Sequence, residues 1–479
     1  MGFYRDLVKK TAAIFERSPQ ARYDAGTVSK RTKGWRSDGY SVNTETNRSL
    51  SLLRSRSREL HQNHWAAVRA KTLVQRNTVG SGIVPTIRDP SADNEFLHDV
   101  CRDTGLDPAG KKTLGALQSL SIGGVVESGE VLILRRWRSP SEMRQRGMML
   151  PVQFDILEAD HLDTFIQGPQ PNGTYAIQGV EYDRRGWPVA YHLYRDHPGE
   201  VLRWNQYESV RVPASEVCHA FIELRPGQAR GIPWAAPCMI KMRQLADYED
   251  AQLQRAIIAN AWAVFVHHTD DVNLDDLYDP SGVPTSVHPG MVEYLRPGES
   301  VEFANPPGAE GFRDFSEITA QHIAATYELT YPALTGDYGS MNFSSGRMGH
   351  VEMQRSIDVW QTQLMVAQVC RFFERSMRLG MQIMGRDPGE SAWKWTPPRR
   401  EMIDPVKETA ALLTAVRGGL NTMPDALTQM GREPSDVVTE IVAWNELLDA
   451  NGIILDSDPR RMSGGGQAQA AQTGDENDG

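Results

Sequence analysis

Cysteine is scarce in this 479-residue chain. The four present, Cys101, Cys218, Cys238 and Cys370, are scattered, with no CxxC and no close pair. That excludes a disulfide framework or a thiolate zinc site as an organising device, and reduced thiols inside a cell are the expectation. Long apolar runs are missing too. The best, Ile257–Val266, is far shorter than the roughly 20 residues of a spanning helix, so no membrane partner is expected. The opening MGFYRDLVKKTAAIF has no unbroken apolar stretch of the kind that marks a secretory leader, so a non-secreted chain is expected. Nucleotide and hydrolase signatures are absent as well: no GxxxxGK[ST], no GxSxG and no HExxH. Gly80-Ser81-Gly82 is not GxGxxG, and it leads into a strand pattern where a dinucleotide fingerprint would open a helix.

What is there is ordinary for a globular protein of about three domain-sized units: 40% hydrophobic and 23% charged residues. The net charge is −10. It is unevenly spread, because residues 1–76 hold 16 basic and 6 acidic side chains, leaving −20 on the remainder. A basic N-terminal arm on an acidic body follows.

The apolar patterning divides the chain. Leu53, Leu60, Ala67 and Val74 recur at sevens and predict one helix from Leu50 to Gln75, with Arg54, Arg56, Arg58, Arg69 and Lys71 on its other faces. Short strands are expected at Ile83–Ile87, Gly129–Trp137, Val152–Leu157, Tyr175–Tyr182, Val189–Tyr194, Val210–Val212 and Val217–Phe221. Asp183-Arg184-Arg185-Gly186 makes a hairpin turn among them. Weaker helical patterns cover Ala92–Asp103 and Lys112–Ser121. Ala235–His267 then reads as one Ala-rich helix of about 30 residues. A Pro/Gly/Asp excursion over 268–312 follows, and then a helix at Arg313–Tyr331 ended by Pro332. Pro332–Arg347 has no periodicity. Met348–Met384 is a third long helix, and three short capped helices begin near Pro405, Pro424 and Pro434. A polar tail, SGGGQAQAAQTGDENDG, closes the chain.

Candidate chemistry is thin. His61/His64 and His267-His268 lack a neighbouring Cys or carboxylate at ligand spacing and read as exposed helix or loop positions. Asp271–Asp275 starts like a calcium loop, but Asp276 stands where Gly is needed and Gly282 where a bidentate Glu is needed. Arg135, Arg136, Arg138, Arg144 and Arg146 surround Trp137 with only Glu142 opposing, a composition compatible with nucleic-acid contact or with solvated strand ends. No catalytic residue, metal site or cofactor is expected.

Several stretches together resemble the lambda-type family of tailed-phage portal proteins. They are RSRELHQNHWAAVRAKTLVQRNTVGSGIVP ending at Pro85, ILEADHLD at 156–163 and GVEYDRRGWPVAYHLY at 179–194. PASEVCHAF and RPGQARGIPW lie within 213–234, and LTGDYGSMNFSSGR spans 334–347. WTPPRREMIDPVKE covers 395–408, followed by the GGLNT and MGREPSDVVTE segments. The resemblance implies an α+β ring subunit with an α/β wing, two long stem helices, a small β-containing clip and an all-helical crown. Carried onto this chain, it gives a basic arm at 1–49, wing at 50–234, stem helices at 235–267 and 313–331 and clip at 268–312. The tunnel loop takes 332–347, a long wing helix and return 348–400, the crown 401–455 and a tail 456–479. It further implies a homo-oligomeric ring, generally of twelve, at one capsid vertex of the virion, assembled in the host cytoplasm. Double-stranded DNA would pass through it. Terminase large subunit, major capsid and scaffold proteins, and a head-completion or adaptor protein would be its partners.

The residues facing DNA would be Thr335, Gly336, Asp337, Tyr338, Gly339, Ser340, Met341, Asn342, Phe343, Ser344 and Ser345, with Asp247, Glu249 and Asp250 as acids of the stem lumen. Twelve copies of −10 sum to about −120, a field that discourages a polyanion from sticking wherever acid faces the lumen. The rival readings are a smaller head–tail adaptor ring, against which the length and the clip-like insertion speak, and a metal-dependent DNA-processing enzyme. The latter needs a carboxylate cluster that the sequence does not offer convincingly.

Overall fold

The computed structural model describes residues 30–35, 38–87, 89, 93–200, 208–260, 264–268, 299–303, 311–339, 341–398, 402–432, 434–453 and 455. The candidate calcium loop, Ser340 and the polar tail lie outside the described residues, as does most of the basic arm.

The arm is not featureless where it is described. Helix α1 (Val42–Asn47), capped by Ser41, buries Val42 and Thr46. Asn43 fastens it to the body: its side chain donates to the Gly227 carbonyl (2.9 Å) and accepts from the Ala229 N–H (2.9 Å). Helix α1 therefore lies within the segment expected as the arm and is docked on the body. The single helix expected over Leu50–Gln75 is two, α2 (Leu50–Asn63) and α3 (Trp65–Thr78), broken at His64, whose ψ is 119°. The imidazole stabilises the break, because its Nδ1 accepts from the Ala66 N–H (3.3 Å) and so caps α3. His61 and His64 are buried, not exposed as expected, and so is Arg54.

After β1 (Val84–Thr86) and α4 (Asn94–Arg102) comes α5 (Leu114–Ser128), the central helix of the body. Leu114, Leu117, Ile122, Val125 and Val126 bury one side, and Gln118, Ser121 and Gly123 are buried as well. A helix buried over most of its surface needs its buried polar groups paired. Gln118 complies: its amide accepts from the Ile83 N–H (2.8 Å) and donates to the Ile83 carbonyl (2.9 Å). Gly129 ends α5 in the left-handed region (φ 87°) and turns directly into β2 (Glu130–Trp137). A Cβ there would lie 2.2 Å from the Ile232 carbonyl carbon, and one at Gly231 would lie 2.2 Å from the Gly129 oxygen. The two glycines let the chain cross itself where no side chain fits.

Strand β2 is the middle of an antiparallel sheet with β3 (Val152–Leu157) and β9 (Val217–Phe221), and short α6 (Pro140–Arg146) links β2 to β3. A five-strand meander stands beside it: β4 (Gly168–Pro169), β5 (Tyr175–Ile177), β6 (Val180–Tyr182), β7 (Pro188–Tyr194) and β8 (Ser209–Pro213). The predicted strand Tyr175–Tyr182 is a hairpin of its own. Gln178 and Gly179 both take positive φ (49° and 86°), the backbone of a tight two-residue turn. The expected turn at Asp183–Gly186 is present, with Gly186 at φ 84°. Leu132, Leu162, Val180, Tyr191, Leu193 and Val217 form the smaller core between these layers.

Helix α7 (Met239–Asn260) is shorter than the helix expected at 235–267, because Val264–His268 is strand β10, paired antiparallel with β11 (Glu299–Phe303). Val-Phe-Val suits a strand and resists continuation of the helix. Helix α8 (Phe312–Thr326) ends well before Pro332, which instead sits at the start of α9 (Tyr331–Thr335). The third long helix begins at Phe343, five residues ahead of the expected Met348. It comprises α10 (Phe343–Val359), a wide-turned π stretch at Trp360–Cys370 and α11 (Arg371–Ile383). It buries Trp360, Leu364, Met365, Val369, Phe373 and Met377 in the main core. Strand β12 (Lys394–Thr396) returns to β1. The crown-expected segment is helical as predicted: α12 (Pro405–Arg417), α13 (Met423–Gln429) and α14 (Pro434–Ala450). The α+β reading holds.

Candidate functional site

The segment expected to face DNA is built from both ends inward. Leu334, buried, anchors α9, and the Arg69 guanidinium donates to the Ala333 carbonyl (3.3 Å). Gly336 ends α9 at φ 79°, donating its N–H to the Pro332 carbonyl (2.8 Å). At the far end Asn342 caps α10 through a reciprocal pair with Ser345: Oδ1 accepts from the Ser345 N–H (2.8 Å), and Ser345 Oγ accepts from the Asn342 N–H (3.2 Å). Thr335 is thus helical, Phe343, Ser344 and Ser345 form the first turn of α10, and only 336–342 connects the two. Asp337 closes an Asx turn on the Gly339 N–H (2.9 Å). Tyr338 is 64% and Phe343 63% exposed, two aromatic faces with no core to fill. No lysine or arginine occurs from Tyr331 to Gly346, so the segment can touch a polyanion softly but cannot grip phosphate.

Of the three acids expected on the stem, Asp247 and Asp250 stand three apart on one exposed side of α7, and Glu249 lies about 100° round from Asp250. Burial, then the adjacent Asp250 charge, raise the Glu249 carboxyl above its ordinary range. Asp247 pairs with Arg243 (3.2 Å). Helices α7 and α8 meet through Tyr248 on Phe312 and Phe315 (ring centroids 5.5 and 4.9 Å) and through Lys241 Nζ on His322 Nδ1 (2.9 Å).

The five arginines around Trp137 do not make a free cationic surface. Arg135 grips Glu216 with both Nε (2.9 Å) and Nη2 (2.7 Å), and its guanidinium lies over the Trp137 ring at 5.1 Å. Arg136 pairs with Asp155 (2.6 Å), and Arg138 reaches Glu142 (3.4 Å) and Gln153 (2.7 Å). Arg146 donates to the Pro108 carbonyl (3.1 Å), while Arg144 is exposed in the last turn of α6. Three of the five are neutralised by the same fold.

Sequence reasoning missed the strongest electrostatic feature. Glu130, fully buried at the start of β2, accepts from Arg230 Nη2 (2.6 Å) and Nε (2.9 Å), Arg54 Nη1 (3.1 Å), His219 Nε2 (2.9 Å) and the Gly231 N–H (2.6 Å). Burial works against its ionisation and is the largest influence. The Arg230 charge and the His219 donor outweigh it, holding the carboxyl far below its usual range. Arg230 also donates to the Gln178 and Ala159 carbonyls, so the node ties α2, β2, β9 and the meander together. The signal available in the sequence was an isolated Glu inside an apolar strand, which requires a buried cation.

Glu158, Asp160 and His197 bring ligand atoms within 4.8 Å of one another. Arg58 already contacts both carboxylates (Glu158 at 2.7 Å), and Arg54 lies 3.6 Å from Asp160, so a cation there would displace guanidinium groups. All four cysteines are free, and burial pushes the Cys101 and Cys218 thiols up to about 12 and Cys238 to about 11. No helix among the described residues is long and apolar enough to cross a membrane.

The model of the phage portal proteins of the lambda family matches residues 28–361, well over half the chain. The chain belongs to that family. A probable portal protein of Halomonas phage phiHAP-1 is 27% identical over 424 residues, covering 81% of this portal chain and 79% of the relative. The portal protein of Escherichia phage N15 is 21% identical over 477 residues, covering 87% and 88%. Among solved structures, the neck of an empty gene transfer agent particle matches 79% of the chain and 94% of its own, at 13% identity and TM-score 0.48. The portal assignment makes the chain a structural protein of a phage.

Proposed function

We propose that copies of this chain form a ring, of twelve in the capsid, at one vertex of the phage head, through which double-stranded DNA enters during packaging and later leaves. In this reading the α+β body of 50–234 with the long helix and return of 348–400 is the wing, and α7 and α8 are the stem. Residues 268–312 form the clip, 336–342 the tunnel loop and 401–455 the crown. The terminase large subunit docks at the clip during packaging, and a head-completion or adaptor protein takes its place afterwards. Major capsid and scaffold proteins meet the wing as the ring is incorporated in the host cytoplasm. ATP hydrolysis belongs to the terminase, and this chain performs no bond chemistry.

The observation that carries the reading, beside family membership, is the cation-free connection from α9 to α10, with Tyr338 and Phe343 exposed. A conduit must touch DNA without holding it, and a net-acidic body with cation-free, glycine-bearing loops meets that requirement. Electron microscopy of the purified chain tests it: axial class averages should show open rings of about twelve subunits, and their clip face should retain terminase. A compact dimer with Mg²⁺-dependent nuclease activity would overturn it.

A further inference from the structure

A recess of about 610 Å³ lies where the body meets the return from the long helix. Its wall is drawn from residues 81–86, the last turns of α4, the first residues of α5, the end of β12 with the two prolines after it, and Gly431 beyond α13. The volume falls in the range of small-molecule sites, far beyond what a single water fills. The described residues that line it include no Asp or Glu. Cys101 adds no negative charge, because burial pushes its thiol up to about 12.

Hydrogen-bond donors collect on this wall. Helix α5, 15 residues long, begins here, and Thr113 takes the Ala116 N–H (3.4 Å) as its cap. The Leu114 and Gly115 N–H groups are left without a partner inside the helix. Such a helix start favours an anion. A second observation is independent of it. Thr86 is only 4% exposed, and its hydroxyl has no hydrogen-bond partner among the described residues. Nor has the buried Nε2 of His98. Buried polar groups are paired as a rule, so two orphans on one wall call for a partner. Arg102 follows His98 by one turn on the same side of α4, is exposed, and makes no ion pair among the described residues. Its charge offsets the carbonyl end of α4, which by itself would oppose an anion. Ile83, Pro85, Pro397 and Pro398 give the same recess an apolar wall.

We propose that this recess binds an organic anion, its phosphate or carboxylate group taken by the start of α5, Thr86, His98 and Arg102, and its apolar body by the proline-bearing wall. One chain supplies the whole site, so the proposal does not rest on the ring reading.

Isothermal titration calorimetry of the full chain in phosphate-free buffer tests it with four probes: phenyl phosphate, phenylacetate, inorganic phosphate and phenol. One of the two aromatic anions should bind at one site per chain. It should bind at least tenfold more tightly than inorganic phosphate, which lacks the body, and than phenol, which lacks the charge. The tighter of the two names the headgroup. Thr86→Val fills the same space without the hydroxyl, and Arg102→Gln removes a charge at an exposed position. Each should weaken that binding at least fivefold. Losing an orphan hydroxyl should leave the melting temperature of unliganded Thr86→Val unchanged or higher, whereas a fall would show the hydroxyl already paired and overturn its part in the site. Binding that neither substitution weakens overturns the proposal. So does the absence of saturable binding by both aromatic anions, which would leave the two orphan atoms to water. Hydrogen exchange locates the site: the tighter anion at saturation should slow amides of 81–86 and 114–116 at least threefold and leave 175–194 unchanged. Equal rates with and without it in the first two segments would overturn the assignment.

Discussion

Glu130 stands where a strand of Val, Leu and Ile should hold nothing charged, and five donors converge on it. Two of its partners, Arg54 and Arg230, are themselves buried, so the node is sound only while the carboxylate is present. Glu130→Gln keeps the shape and removes the charge, leaving two guanidiniums with no full counter-ion. The expected loss is about 3–5 kcal/mol, read from denaturant unfolding of the full chain. A loss below about 1 kcal/mol would show that the donors find water or Asp160 instead. Gly129 tests the backbone in the same place. Gly129→Ala asks an L-residue to hold φ 87° with its methyl against the Ile232 backbone, which no side-chain movement relieves. Its expected cost is on the order of 3 kcal/mol or more, with little soluble protein on expression. Arg54 shows why part of this was illegible in the sequence. Pattern reading assigns an arginine to an exposed helix face, and only the tertiary pairing with Glu130 reverses that.

The α2–α3 corner is an element built on two neutral histidines. His61 Nδ1–H donates to the Ser57 carbonyl (2.8 Å) and its Nε2 accepts from the Tyr327 hydroxyl (3.3 Å). His64 Nε2–H donates to the Met242 carbonyl (3.1 Å) while Nδ1 caps α3. Burial lowers both below the ordinary 6.5, so the unfolded chain binds more protons than the folded one as pH falls past that value. Their contribution is complete above about pH 6.5 and is lost as pH drops through the folded values. Melting temperature should therefore fall between pH 7.5 and 5.5. His64→Asn keeps a capping oxygen but cannot titrate, so it should lower stability at pH 7.5 by about 1 kcal/mol and shrink the difference between the two pH values. An unchanged difference would place the pH dependence elsewhere.

Elements with local signals were legible: the capped C-terminal helices, the Gly186 turn and the central strands all follow from caps, positive-φ glycines and apolar runs. Boundaries set by tertiary contact were not. The start of α10 is an instructive miss, because Asn342-x-x-Ser345 is a readable capping pair hidden among Gly and Ser. Asn342→Ala should cost about 1 kcal/mol and speed amide exchange over 344–347, lengthening the loop without altering the body. Exchange rates equal to those of the unaltered chain would show that the Ser345 pair does not hold the start of α10.

At the scale of the assembled molecule, charge decides whether the conduit grips or releases DNA. The 336–342 connection carries one acid, Asp337, and no base, and in a ring it would be repeated about twelve times. Tyr338 and Phe343 supply contact area without counter-ions, so the ring should hold linear duplex DNA weakly and with a shallow salt dependence. Asp337→Lys replaces each acid by a cation and creates a band of positive charge at one height of the channel. Each phosphate so neutralised steepens the fall of log K with log salt by roughly 0.9, so even a few engaged lysines should be visible in a salt titration of DNA binding. The same variant should package or release DNA more slowly, because every bound counter-charge must be broken for the duplex to advance. Tyr338→Ala, which changes contact area but not charge, should leave the salt slope unaltered. Should Asp337→Lys rings bind DNA no more tightly and with no steeper slope, the 336–342 loop does not meet the duplex, and the DNA-facing surface must be sought on α7, where Asp247 and Asp250 share an exposed side.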